Sequence, residues 1–547
     1  MKFSKLTLAI TTTLGASVSF SAFAIDLYVD TKTKQIYAEP GRGRMLMGSF
    51  EQVGEAPAKT AAPVAAAAPA EIAAVNQDLE LKTNEIKSLQ ERMEEKEKTE
   101  IKLGDKGLEI ESKDKNFKMS LGGRLQFDGQ VNAGGQGPNQ KNTLNDGVGV
   151  RRGRIHTEGT LYKDFDFKFE YDFVRGNGST AAGITDAWVE YTGLKPVSFT
   201  GGQFKEPFSL ESVTSNRYLT FAERSLANNA FVEFANPYLL GISGQSFGER
   251  WTARGAFQAE PIGGGGYNAN TSLNNQGNAN RNGPSGNPSY GVTGRVTGLP
   301  YFNSKTELVH LGASGSFREV NNTNNGNGAN VNWSSNDPSG GNPNNPTSMR
   351  FASQIADVDR TNWADTGNLS NATHTLNNYY RVGAEAAGVY GPFSVQSEFI
   401  GTQLSGRGYG SSDFLYGYYA TASYFLTGES RNYNTKKGAF DRQKANKNFS
   451  LKDGGWGAWE LATRFDALNM NTANVSGGRL QEATVALNWY LNPHVRMMFD
   501  YSHILENNVP LNKAGTNTAN FNSQGAQLAQ TTGHHPNIFM LRTQIDW

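Results

Sequence analysis

The sequence predicts an all-β fold, a transmembrane antiparallel β-barrel of about 16 strands, preceded by a short coiled coil. Three observations support this. From about Lys102 to the C-terminus, segments of alternating apolar and polar residues recur between turn-forming residues. The chain ends on such a segment, Pro536 to Trp547, with Phe539, Leu541, Thr543, Ile545 and Trp547 on one face and Arg542, Gln544 and Asp546 on the other. No window approaches the continuous apolar run of a membrane-spanning helix, apart from a short one at the N-terminus. Low mean hydropathy does not argue against a membrane wall, because alternating strands average out.

Composition narrows the function classes. The 547 residues contain no Cys, which excludes a disulfide scaffold, a thiolate metal site and a lipid-anchored N-terminal Cys. Lys plus Arg (51) balance Asp plus Glu (51), and removing Lys2 and Lys5 with a leader leaves the mature chain slightly acidic. That argues against nucleic acid as a partner, and any anion preference must come from local placement of charge.

Residues 1–24 read as a signal peptide: Lys2 and Lys5, an apolar stretch from Leu6 to Phe20, and the small-x-small site Ala22-Phe23-Ala24. Residues 25–54 hold a short β-like stretch, expected as a small hairpin, and 55–71 form an Ala/Pro-rich linker. In 72–100, Ile72, Val75, Leu79, Ile86, Leu89 and Met93 alternate at three- and four-residue spacings, a heptad seam interrupted by Lys82. This predicts an oligomeric coiled coil, for which a homotrimer fits. The barrel domain is 101–547.

Within it, Phe117, Met119, Leu121, Leu125 and Phe127 alternate with polar residues, and Phe165, Phe167, Phe169, Tyr171 and Phe173 alternate with Asp166, Lys168, Glu170 and Asp172. Five aromatics on one face suit the girdles that contact outer-membrane lipids. Strands are expected near 116–131, 147–160, 164–174, 184–192, 197–205, 239–247, 250–258, 288–298, 303–316, 378–389, 393–404, 412–427, 455–468, 479–491, 494–505 and 536–547. With both barrel termini in the periplasm, connections should alternate between short inside and long outside. Long outside connections are expected at 132–146, 206–238, 259–287, 317–377 and 506–535. Residues 428–454 do not fit: they are long yet fall inside, so this is a long turn or a hidden hairpin.

The terminal strand resembles the closing strand of bacterial outer-membrane barrels. Several segments resemble the phosphate-selective porin O/P family: GRLQFDG (123–129), RRGRIHTEGTLYKDFDFKFEYDF (151–173), DAWVEY (186–191), GQFKEPFSLE (202–211), TSNRYLTFAERSL (214–226), YFLTGESRNY (424–433), GGWGAWELATRF (454–465) and LNWYLNPHVRMMFDYSH (487–503). They cover most of the barrel in order. The resemblance implies a trimeric sixteen-stranded outer-membrane barrel for small anions, phosphate or polyphosphate among them, with its N-terminal segment in the periplasm.

Guanidinium and ammonium groups in a pore replace part of an anion's hydration shell, and Arg suits phosphate because its fork pairs two oxygens. Strand parity places Arg152 and Arg154 opposite Ile155 and Leu161, Arg124 opposite Leu125 and Phe127, and Lys168 opposite Phe167 and Phe169. Arg254, Arg295, Arg381, Arg464, Arg496 and Arg542 also sit opposite apolar neighbours. Gly201-Gly202 predicts a bulge, so Lys205 is placed inward by its resemblance to the family's GQFK segment. By resemblance to porins, loop 206–238 folds inward and brings Arg217 or Arg224 to Arg152, Arg154 and Lys205. The closing strand should put Arg542 beside Arg124 and Arg154. The anion-pathway candidates are Arg124, Arg152, Arg154, Lys168, Lys205, Arg217, Arg224, Arg464, Arg496 and Arg542.

Inward acids stand against them: Asp128, Glu158, Asp166, Glu170, Asp172, Asp186, Glu190, Glu385, Glu398, Glu460, Asp466 and Asp500. Opposed charged walls also suit a non-selective diffusion porin whose coiled coil tethers the outer membrane to a periplasmic partner. The basic run Arg431, Lys436, Lys437, Arg442, Lys444, Lys447 and Lys452 reads as a solvated turn, the alternative being a patch that draws anions to one pore mouth; lipid A phosphates become candidates only if it is extracellular. An enzyme is not expected. The seven His residues (156, 310, 374, 494, 503, 534 and 535) accompany no nucleophile elbow and no metal spacing, so neither cofactor nor metal is predicted.

Overall fold

The structure is a computed structural model that describes residues 25–30, 36–37, 44–50, 69–97, 100–104, 107–134, 144–174, 183–234, 237–259, 262, 290–320, 349–356, 358–359, 362–367, 369, 374–508 and 533–547. The signal peptide 1–24, most of the linker 55–71 and most of connections 259–287, 317–377 and 506–535 lie outside the described residues.

Sixteen antiparallel strands close the barrel. They are β1 (Phe117–Ala133), β2 (Gly147–Leu161), β3 (Phe165–Asp172), β4 (Gly183–Tyr191), β5 (Val197–Lys205), β6 (Tyr238–Phe247), β7 (Trp251–Gln258) and β8 (Gly291–Ser304). Then follow β9 (Glu307–Glu319), β10 (Thr375–Tyr390), β11 (Phe393–Arg407), β12 (Phe414–Phe425), β13 (Ala458–Asn471), β14 (Ser476–Asn492), β15 (Val495–Asn508) and β16 (Asn537–Asp546). Each coincides with an expected segment, because a wall between lipid and water imposes period 2 on every strand. Outward residues such as Phe117, Phe169, Phe257, Phe399 and Phe539 are exposed, whereas their inward neighbours are mostly buried.

Closure is complete, as a membrane requires of every strand edge. β16 pairs with β1 from Asn537↔Ala133 to Asp546↔Arg124. Trp547 then exchanges two backbone hydrogen bonds with Gly123, at 3.0 and 3.1 Å. A Cβ on Gly123 would lie 2.5 Å from the Trp547 ring, so the terminal indole depends on this glycine. Beyond Trp547, a hairpin outside the sixteen expected strands continues the pairing: Glu100–Gly104 with Gly107–Glu111, the latter lying against β1 from Leu108↔Leu121 to Glu111↔Lys118.

With an even strand count, both barrel termini lie at one end, the terminal end, and connections alternate between it and the loop end. The 428–454 connection lies at the terminal end and hides no spanning hairpin. It contains only two-residue strands, Tyr433–Asn434 with Ala439–Phe440.

The apolar core sits in the lumen. The connection after β5 folds inward as two short helices, Leu210–Val213 and Leu226–Asn228, and a π turn, Asn229–Glu233. Phe208, Leu226, Ala230 and Phe231 from it bury against Tyr379, Leu404, Leu415 and Leu468 of the opposite wall, together with Met349, Phe351, Trp363 and Leu369 from the connection after β9. Burying each of the larger side chains is worth about 1.5–3 kcal/mol.

The chain divides into two units, 1–91 and 92–547. In the first, Ile25–Asp30 pairs with both Ile36–Tyr37 and Arg44–Phe50, a three-stranded sheet where a hairpin was expected. A helix, Pro69–Glu97, occupies the heptad region, with Leu79, Ile86 and Leu89 exposed along it.

Candidate functional site

Wall carboxylates hold the inward loop by its backbone. Glu398 of β11 accepts the amides of Leu210 and Glu211 at 2.9 and 2.7 Å, and the Tyr419 hydroxyl at 2.5 Å. Asp500 of β15 accepts the amide of Ala222 at 2.8 Å, and Asp466 of β13 that of Leu226 at 3.2 Å. Sequence parity placed these acids inward as counter-charges for arginines. Asp466 does pair with Arg464, at 2.5 Å, but all three also anchor the loop, satisfying amides that burial would otherwise leave unpaired.

Ion pairs also join the loop to the wall, and Glu170, Glu223 and Glu233 each gather several basic side chains. Glu170 of β3 gathers Arg124 (2.6 Å), Arg154 (2.9 Å), Lys168 (3.6 Å) and, from the loop, Arg217 (3.8 Å). Glu223 of the loop gathers Arg542 (2.9 Å), Arg151 (3.0 Å) and Arg152 (3.3 Å). Glu233 of the loop gathers Lys205 (2.9 Å) and Arg224 (3.2 Å). The expected meetings therefore occur through shared acids: Arg217 with Arg154 at Glu170, and Arg224 with Lys205 at Glu233.

The ten candidates divide by how fully they are engaged. Arg154 also holds Asp172 at 2.6 Å. Arg542 holds both oxygens of Asp128 at 2.6 Å. The closing strand thus aligns as expected, but the direct partner of Arg542 is Asp128 and not Arg124 or Arg154. Arg152 donates to Gln126 at 2.9 Å, and Arg464 to Asp466 at 2.5 Å and to the Glu223 carbonyl at 2.8 Å. Arg496 donates to the Leu219 carbonyl at 2.7 Å and to Gln544 at 3.2 Å.

Arg124, Lys168, Lys205, Arg217 and Arg224 line a cavity of about 970 Å³. The same cavity is lined by Arg254 and Arg295 of the wall and by Lys436, Lys437, Arg442 and Lys444 of the 428–454 connection. Its walls carry twelve basic and seven acidic side chains, an excess of five positive charges. Among the described residues, no carboxylate lies within 4.0 Å of Arg254, Lys436 or Lys437. Arg254 rests over the Phe204 ring and Lys436 over the Phe247 ring, at 5.1 and 5.7 Å.

Three features escaped the sequence reading. The register between β1 and β2 shifts between Gln126 and Phe127, so Gln126 faces Arg152 while Phe127 faces Val150. This bulge turns Arg151 inward onto Glu223 and leaves Val148 facing out. An Arg where parity predicted lipid was the available signal. The bulge expected at Gly201-Gly202 is absent: pairing on both sides of β5 runs without a shift. The distortion is confined to Gly202, at φ +126°, and Lys205 still reaches the interior.

The third is the 428–454 connection. It is not a solvated turn, because its first half enters the lumen. Tyr433 and Phe440 are buried there beside Leu210, and the carbonyl of Gly438 accepts from Arg295 at 2.7 Å. Arg442 binds both oxygens of Asp546, at 3.0 and 2.7 Å.

A closed membrane-spanning barrel whose charged lumen is narrowed by inward-folded segments defines a porin, a channel for small solutes. The family model of the phosphate-selective porins O and P matches residues 119–529, and the chain belongs to that family. It is an outer-membrane porin for small anions. It is similar to Porin O of Pseudomonas aeruginosa, with 28% identity over 415 residues, 72% of this chain and 84% of that protein. It is also 28% identical, over 399 residues, to an uncharacterized protein of Caulobacter vibrioides, covering 71% of this chain and 69% of that one. Similar solved structures include an anion-selective porin from Comamonas acidovorans (TM-score 0.41, 10% identity, 79% of this chain and 100% of that one). Another is the outer-membrane channel DcaP of Acinetobacter baumannii (TM-score 0.40, 11% identity, 80% and 99%).

Proposed function

We propose that small anions, phosphate among them, pass through the cavity between the inward loop and the 428–454 connection. The observation that carries this reading is the charge of that cavity, twelve basic against seven acidic side chains, with Arg254, Lys436 and Lys437 outside any ion pair among the described residues. A lysine or arginine already held by two carboxylates has little charge left for a passing ion. The anion path therefore uses Arg254, Lys436 and Lys437 together with Lys205 and Arg224, which share the single carboxylate of Glu233, whereas Arg217 is held by both Glu170 and Asp546. Arg152, Arg154, Arg464 and Arg542 shape the wall and hold the loop, and Arg124, Lys168 and Arg496 set the local potential. The terminal end faces the periplasm, where the N-terminal helix forms a coiled coil in a homotrimer.

In planar bilayers with a salt gradient, the reversal potential is expected to favour anions. Millimolar phosphate is expected to reduce chloride current. Arg254→Ala combined with Lys436→Ala and Lys437→Ala should relieve that block, while a control at the exposed turn between β8 and β9, Lys305→Gln, leaves it intact. Cation preference, or a block unchanged in the triple variant, defeats the reading. Glu158, Asp166, Asp186 and Glu190 also line the cavity and favour a second reading, an unselective diffusion pore with opposed charged walls. A reversal potential near zero would support it.

A further inference from the structure

The second half of the 428–454 connection turns the other way, onto the outer surface of the barrel. Trp459 of β13 and Trp489 of β14 are register partners that face outward, stacked at 5.0 Å and 14°. Both indoles donate to the carbonyl of Trp456, at 3.2 and 2.8 Å. Phe449 packs edge-on against Trp489 at 5.0 Å. Between these contacts Ser450 and Gly455 exchange two backbone hydrogen bonds of 3.0 Å, closing a miniature hairpin whose tip is Leu451 to Gly454. The hairpin presents Leu451, 88% exposed, at its tip and Trp456, 72% exposed, just after its closing pair. Many outward aromatics of the wall are less open, Phe117 at 44% and Phe257 at 49% among them. Lys447 and Lys452 flank Leu451 and Trp456; the Lys447 ammonium donates to the Asp453 carbonyl at 2.5 Å, and the Asp453 carboxylate accepts from the Ser450 hydroxyl at 2.7 Å.

We propose that the 449–456 hairpin is a binding surface for anionic phospholipid at the terminal end of the barrel. An exposed indole and an isobutyl group at a membrane boundary gain by entering the headgroup–acyl interface, where amphipathic aromatics concentrate. Lysines beside them attract anionic headgroups. The occupant is lipid because the hairpin is seated on the lipid-facing tryptophans of the wall, and because its exposed charges, Lys447, Lys452 and Asp453, leave a net positive charge. One connection thus serves two surroundings: its first half lies in the pore and its second half in the bilayer boundary.

The test uses the full chain reconstituted in vesicles of brominated phosphatidylcholine with increasing unbrominated phosphatidylglycerol. The Trp456 signal is the difference between the native protein and Trp456→Phe, each checked for a heat-modifiable barrel. Brominated lipid is expected to quench that signal. Phosphatidylglycerol should displace the quencher with a relative affinity of about fivefold, falling towards one in Lys447→Gln/Lys452→Gln. A Trp456 signal that brominated lipid does not quench, including one shielded by a second copy of the chain, overturns the proposal. So does equal affinity for the two lipids, or a preference that survives loss of both lysines.

Discussion

Arg151 and Arg152 are neighbours in sequence, yet both reach Glu223, at 3.0 and 3.3 Å. An unbroken strand would send one of them into lipid. The bulge after Gln126 resolves this, and it makes the two arrangements distinguishable by the sign of a stability change. Were Arg151 in lipid, Arg151→Leu would stabilise by about 2–4 kcal/mol. Because it donates twice to a carboxylate, at 3.0 Å each, the substitution is expected to destabilise by about 1.5–3 kcal/mol, measured by urea unfolding from lipid vesicles. At this scale the sequence supplied the residue types but not the partners. Apart from Arg151, period 2 told which of the candidate charges face inward. It could not tell that Glu170 would collect four cations, because those cations come from β1, β2, β3 and the inward loop, and their convergence depends on strand stagger and loop path.

Two elements narrow the pore from opposite ends. The loop after β5 is tied to the wall by Glu398, Asp466 and Asp500 through backbone amides, so its position does not depend on its own basic residues. Glu398→Ala removes the acceptor for two amides and for Tyr419. It is expected to raise single-channel conductance and its fluctuations in planar bilayers while the barrel remains heat-modifiable. Conductance identical to the native channel would show that the apolar contacts of Phe208 and Phe231 alone fix the loop. The 428–454 connection was legible as an anomaly of length and parity. Its insertion was not, since the basic run at 431–452 has the composition of a solvated turn. Only the buried Tyr433 and Phe440 and the two-pronged bond from Arg442 to Asp546 explain why it turns inward.

For the whole molecule, the barrel and the N-terminal helix pose separate questions. Leu79, Ile86 and Leu89 remain exposed on a helix that cannot bury them alone. Under the proposed coiled-coil trimer, Leu79→Asp with Ile86→Asp is expected to lower the thermal stability of a trimer band on semi-native gels without changing single-barrel conductance. The sequence by itself determined the number of strands, their order and, away from the bulge at Arg151, their lipid faces, because alternation is a local property that the bilayer imposes residue by residue. It also determined that the last strand would meet β1, because a membrane tolerates no open edge. Tertiary structure alone decided which acids hold the loop, which cations remain uncompensated in the cavity, and that one connection reaches both the pore and the outer surface. Those outcomes depend on distances between segments hundreds of residues apart, and no periodicity in the chain encodes them.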